Sequence, residues 1–300
     1  FFITIGQVPF YDSWALIEVD GKKILNTNDC ILETPDRVKD IKRITDTVDI
    51  LFTQFSYANW VEGGIEDSSR RASLANEKLE RIRIQSDNLK PSYIVPFASM
   101  VRFCHTENSY MNDEINTPMQ TVDFIESNTK SNVFLMVPYE NWDGESSKNN
   151  KSAIQFWEKA YEKALKRPLE APKKTYEVAE IKLASDEMRS RVNKRNNKLL
   201  IYLLDMFGLL PNQEIKITDL NCCVNFSWRK GLDILNGESD RQCVEMTSES
   251  LNFLFKFDFG IDSLNVNARF SGSLVQKKSL IRTFSPLVLN NTGRYISILG

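Results

Sequence analysis

The sequence predicts an α/β layer followed by an α+β region, and three observations carry that expectation. Two near-continuous apolar runs, "VDILFTQFS" (48–56) and "YIVPFASMV" (93–101), flank an amphipathic stretch at 67–88. Strand, helix, strand in that order is the signature of an α/β layer, and runs without polar alternation suit strands covered on both faces. The third observation is "KRPLEAPKK" (166–174), where two prolines among charged residues mark the strongest boundary in the chain. We therefore expect a first part over 1–165 and a second over 175–300, two domains being ordinary for 300 residues.

The elements follow in turn. Residues 1–10 and 13–19 read as strands, and Asp20-Gly21 is a hairpin turn into Lys22–Leu25. "PDRVKDIKRI" (35–44) places apolar residues at 38, 41 and 44, a short helix at 3.6-residue period. The helix at 67–88 has Asp67, Ser68 and Ser69 as possible caps. A helix near 118–127, a strand at 132–138 and an amphipathic helix at 152–166 complete the first part. The second is expected to hold one helix over 185–207, ended by Gly208 and Pro211. A mostly antiparallel sheet then follows, from strands at 214–220, 222–229, 242–247, 251–257 and 263–270.

Composition excludes several classes. A hydrophobic fraction of 42% with 26% charged residues is ordinary globular material, and a net charge of −2 speaks against nucleic acid as the main partner. No apolar run reaches the length of a membrane span. The start, "FFITIGQVPFYDSWALIEVDG", reads as a strand under way and not as a signal peptide. Five cysteines, at 30, 104, 222, 223 and 243, form no zinc-ribbon spacing, and their odd count suits a reduced, cytoplasmic setting. One histidine cannot build a three-histidine zinc site or a Rieske centre.

The candidate residues begin with "KKILNTNDCIL" (22–32), where an apolar strand ends on Asp29 and Cys30. A carboxylate at a core strand's tip is costly unless something pairs with it, and a metal is one such partner. A polar turn is the other reading. His105 is either a metal ligand or a loop histidine with local hydrogen bonds, and Cys30 reads as a small buried hydrophobe. Ser56 lacks the glycine context of a nucleophile elbow and reads as a lining residue or cap. Trp60, with Tyr57 and Asn59, offers a pocket wall or a packed aromatic. Arg70-Arg71 offers an anion contact or a solvated surface. "NSYMND" (108–113) has no mechanism in sequence, and no residue stands out as catalytic.

Three segments, "DSWALIEVDGKKILNTNDCIL", "VDILFTQFSYANW" and "LKPSYIVPFASMVRFCHTENSYMND", come in that order over roughly residues 1–140. Together they resemble the second half of a metallo-β-lactamase-fold domain, most closely the CMP-N-acetylneuraminate hydroxylase-like branch. The resemblance implies half of an αββα sandwich, with Asp29 bridging two metals and His105 as the last metal histidine, although His105 stands nine residues after Pro96. The implied parent activity is hydrolysis by a metal-bound hydroxide on zinc or iron. The departure is large. The family's His-x-His-x-Asp-His segment is absent, so at most two ligands remain. The chain on its own is expected to be inactive as a hydrolase and to hold zinc or iron weakly, or none.

The resemblance further implies that the chain is either the C-terminal part of a longer protein or a remnant of the fold. Asp29 should then face a cleft, and an apolar sheet surface should stand open, driving homo-oligomerisation or capture of a partner. The later stretch "SLNFLFKFDFGIDSLNVNARF" with "LNNTGR" faintly resembles sterol-carrier-protein-like domains, implying an apolar ligand. A plain amphipathic sheet is the other reading. Two function classes stand side by side: part of a metal-dependent hydrolase with an unknown small-molecule substrate, or a non-catalytic binding or interaction module.

Overall fold

Strand β1 (Phe2–Gln7) pairs antiparallel with β2 (Ser13–Val19), which turns into β3 (Lys22–Asn26) in the computed structural model. That model describes residues 1–7, 12–61, 67–235 and 243–297. Asp20 and Gly21 both adopt positive φ, 50° and 79°, which a two-residue hairpin turn of this twist requires. Helix α1 (Pro35–Thr45) follows, started by Pro35 and by the Thr34 hydroxyl, which accepts from the Arg37 N–H. The chain continues through β4 (Ile50–Thr53), α2 (Ser68–Leu89), β5 (Tyr93–Pro96), α3 (Pro118–Asn128), β6 (Asn132–Val133) and α4 (Lys151–Leu165). The sheet order is β1-β2-β3-β4-β5-β6, with the last four strands parallel.

The two faces of this sheet differ. Leu16, Leu25 and Leu51 pack against Val38 and Ile41 of α1 and Leu89 of α2. Ile94 and Val133 pack against Leu79 and Ile82 of α2, Val122 and Ile125 of α3, and Ala153 of α4. Ile50, Val95 and Phe134 point the other way, together with Ile24, Phe52, Tyr93 and Met136. No helix residue joins that second cluster among the described residues. Trp142 covers part of it, stacked on Phe134 at 4.0 Å and edge-on to Tyr93. An open cleft of about 560 Å³ remains over Ile24, Ile50, Phe52 and Met136.

After the boundary stretch come α5 (Val178–Arg195) and α6 (Lys198–Met206), then β7 (Gln213–Ile217), β8 (Cys222–Ser227), β9 (Gly231–Ile234) and β10 (Val244–Met246). The second sheet runs β10-β7-β8-β9, parallel at β10–β7 and antiparallel elsewhere. Four helices close the chain: α7 (Ser248–Lys256), α8 (Gly260–Asn267), α9 (Leu274–Thr283) and α10 (Ser285–Asn291). Its aromatic core is built on Phe226, which stacks on Phe284 at 5.0 Å and meets Trp228 and Phe255. The Trp228 indole N–H donates to the Thr283 carbonyl at 2.7 Å.

Both sheets are mixed and the class is α/β. The chain forms two compact units. Unit 1 is Phe1–Ala58, Arg71–Arg102 and Asp113–Pro168, and unit 2 is Asn59–Arg70, Phe103–Asn112 and Leu169–Gly300. Among the described residues no helix is long and apolar enough to cross a membrane.

Several expectations are corrected. The stretches 251–257 and 263–270, expected as strands, are helical over 251–256 and 263–267, because Leu251, Leu254 and Phe255 bury at helical spacing behind the Thr247 cap, whose hydroxyl accepts from the Ser250 N–H. The single helix over 185–207 is two. Asn197 stops one and caps the next, accepting from the Leu200 N–H. The strands at 48–56, 93–101 and 132–138 are four, four and two residues long. Residues 8–10 and 242, expected in strands, lie outside the described residues.

Candidate functional site

Asp29 sits just past the end of β3, beside the end of β4, where the Thr27 N–H and hydroxyl both donate to the Phe52 carbonyl. The expectation of a carboxylate facing a cleft is corrected: Asp29 is exposed in a turn. Asn28 takes positive φ there, and its amide donates to Asp29 Oδ1 at 2.6 Å. That bond ties one carboxylate oxygen into the turn. Below it, Cys30 is buried, and burial, with the charges of Asp12 and Asp29, pushes its thiol up to about 12. Arg81 of α2 reaches this corner, pairing with Glu33 and donating to the Cys30 carbonyl.

The other sequence candidates resolve into structure. The Ser56 hydroxyl is fully buried and accepts from the Asn116 N–H at 3.0 Å. Asn116 in turn donates to the carbonyls of Phe55 and Ala75, both at 2.7 Å. Trp60 is a packed aromatic, stacked on Phe270 at 5.3 Å with the Lys277 ammonium over its ring. Arg71 is buried, not solvated, and pairs with Asp113, whose Oδ1 lies 2.7 Å from its Nε. "NSYMND" gains a role here as a structural knot. Asn112 exchanges hydrogen bonds with the Phe103 backbone, and Asn108 accepts from the His105 N–H while donating to the Asn267 carbonyl.

That knot presents His105 to a pocket of about 270 Å³ in unit 2. Its walls are His105, Lys173, Tyr176, Glu249, Asn252, Lys256 and Arg269, with Ala171, Phe253 and Phe257 supplying apolar surface. Arg269 holds one wall: it donates to Glu107 at 2.8 Å and to Glu249 at 2.7 Å. Glu107 also accepts from the hydroxyls of Thr247 and Ser250, which ties the His105 loop to the start of α7. Burial pushes the Glu249 carboxyl up, but the Arg269 hydrogen bond and charge outweigh it, so the group stays ionised below its ordinary range.

The remaining polar groups of the pocket are unsatisfied. Asn252 is 7% exposed, and its amide has no hydrogen-bond partner among the described residues. His105 Nδ1 is buried and unpartnered. The Lys173 and Lys256 residues are exposed to solvent, and their ammonium groups have no ion pair among the described residues. Buried polar groups are normally paired, and on this cavity's wall the His105 Nδ1 atom is the one closed to solvent without a partner among the described residues. The larger cleft of unit 1 lacks this property. Its Lys22 pairs with Glu145 at 2.6 Å, and Asp143 accepts from the backbones of Glu145 and Ser146.

Among the described residues no group of three or more His, Cys, Asp and Glu side chains converges as a metal site would need. Asp29 belongs to unit 1 and His105 to unit 2. No protein-family model, curated protein or solved structure matches the chain.

Sequence reasoning found His105 and missed the rest of the pocket. Lys173, Tyr176, Glu249, Asn252 and Arg269 come from separate stretches with no shared motif. The one local signal was Thr247 before an apolar period, which would have given α7 and put Glu249, Asn252 and Lys256 near one face.

Proposed function

We propose that the chain is a non-catalytic binding module whose working site is the His105–Asn252 pocket of unit 2. The observation that carries the reading is Asn252, 7% exposed on the pocket wall and with no side-chain hydrogen-bond partner among the described residues. Its amide opens onto the pocket and meets no other side chain there, so its donors and acceptor are left for a ligand to use. The pocket's lining holds no serine, threonine or cysteine side chain to act as a nucleophile beside His105 or Glu249. The polar lining also argues against the sterol-like ligand.

The test is Asn252→Leu, which fills the same volume without polar atoms. Denaturant unfolding should show the variant at least as stable as the native chain. A loss above about 1 kcal/mol would mark the amide as structural and sink the reading.

A second reading, the C-terminal half of an αββα metal-dependent hydrolase, is favoured by the one-sided helix layer of unit 1. It expects self-association through Ile24, Phe52 and Met136. Sedimentation should then give a dimer for the native chain and a monomer for Phe52→Glu, and a monomeric native chain counts against it.

A further inference from the structure

We propose that the unit 2 pocket takes a small phosphate monoester of a polyol, its phosphate on Lys173 and Lys256 and its hydroxyls on Asn252 and Glu249. This rests on the binding-module reading and names the ligand class. The charge argument comes first. Arg269 is compensated by both Glu107 and Glu249, so its planar fork, the device that suits a carboxylate, is already occupied. What remains without an ion pair are two solvent-exposed lysines at the pocket's edge, compact point charges with rotatable donors. Two such groups meet a dianion with tetrahedrally spread oxygens better than a flat monoanion.

The body of the ligand follows from the other groups. The Asn252 amide offers two donors and an acceptor, the Glu249 carboxylate accepts only, and Tyr176 contributes a hydroxyl. A molecule presenting several hydroxyl groups, each able to donate and accept, satisfies that mixture. Phe253 and Phe257, with ring centroids 4.8 Å apart, give the C–H face of such a molecule an apolar surface. A volume of about 270 Å³ lies at the small end of ligand pockets, room for one sugar-sized body and too little for a nucleotide or a lipid chain.

The experiment is calorimetric titration of the full chain with glycerol 1-phosphate, ribose 5-phosphate and glucose 6-phosphate, against glucose, glucuronate and inorganic phosphate. At least one sugar or glycerol phosphate should bind more than tenfold tighter than glucose and glucuronate. The double variant Lys173→Ala/Lys256→Ala should weaken that binding at least tenfold with its circular dichroism spectrum unchanged. Glucuronate binding as tightly as the phosphates overturns the class, as does binding untouched by the double variant. Silence from all three phosphates overturns it too. The stability of Asn252→Leu judges the binding-module reading separately, because that measurement needs no ligand.

Discussion

Glu107 is the strut that holds the pocket loop against α7, and its replacement separates two kinds of bond. Its Oε1 accepts from the hydroxyls of Thr247 at 2.7 Å and Ser250 at 3.0 Å, while its Oε2 accepts from Arg269 Nε at 2.8 Å. Glu107→Gln can keep the oxygen toward both hydroxyls, but it turns an amide NH₂ toward the guanidinium. The loss is one charge-assisted bond between side chains only 12% and 14% exposed, roughly 1.5–3 kcal/mol. Glu107→Ala also removes both hydroxyl contacts, each about 1 kcal/mol, so its cost should reach roughly 4 kcal/mol. Urea unfolding followed by near-ultraviolet circular dichroism, with slopes compared between variants, gives both numbers. Arg269 keeps Glu249 in either variant, so the loss is not total. Equal costs for Gln and Ala, or costs below about 0.5 kcal/mol for both, would refute the description of Glu107 as a buried strut.

Two further outcomes are expected. Asn116→Ala removes the buried side-chain donor shared by the carbonyls of Phe55 and Ala75, and should cost about 2 kcal/mol by thermal or chemical unfolding. Lys78 is half-buried, and burial, with the charge of Arg81, holds its amine down at about 8 from an ordinary 10.5. Between those values the unfolded chain binds the proton and the folded chain does not, so stability from this group rises with pH across that window. Lys78→Met should therefore raise the melting temperature below pH 8, with the gap to the native chain closing toward pH 10.5. A gap that does not change with pH would contradict the burial.

Local signals reveal the fold where one short stretch carries the whole instruction. Asp20-Gly21 encodes a turn through two residues that tolerate positive φ, and Val38 and Ile41 mark one face of α1 without outside help. The stretch "LNFLFKFDF" (251–259) fails because its apolar residues fit period two and period 3.6 alike. The Thr247 cap and the core under Leu251, Leu254 and Phe255 decide for helix. Asp29 misleads for a related reason. An apolar strand before it suggests a buried tip, whereas Asn28 at positive φ swings the turn outward and bonds the carboxylate itself. The pocket is illegible for a different cause. Lys173, Asn252 and Arg269 meet only after the chain has folded around α7, and Arg71 reads as a surface charge until Asp113 arrives from a distant loop.

The central claim, that the unit 2 pocket is the working site, is tested most directly by chemical-shift mapping of a library of small polar molecules on the isotope-labelled chain. The Asn252 side-chain amide, the His105 ring and the Arg269 Nε–H should move together for the molecules that bind, with unit 1 unchanged. Shifts that gather instead on Ile24, Phe52 and Trp142, with Asn252 still, would contradict the account and turn attention to the open face of the first sheet.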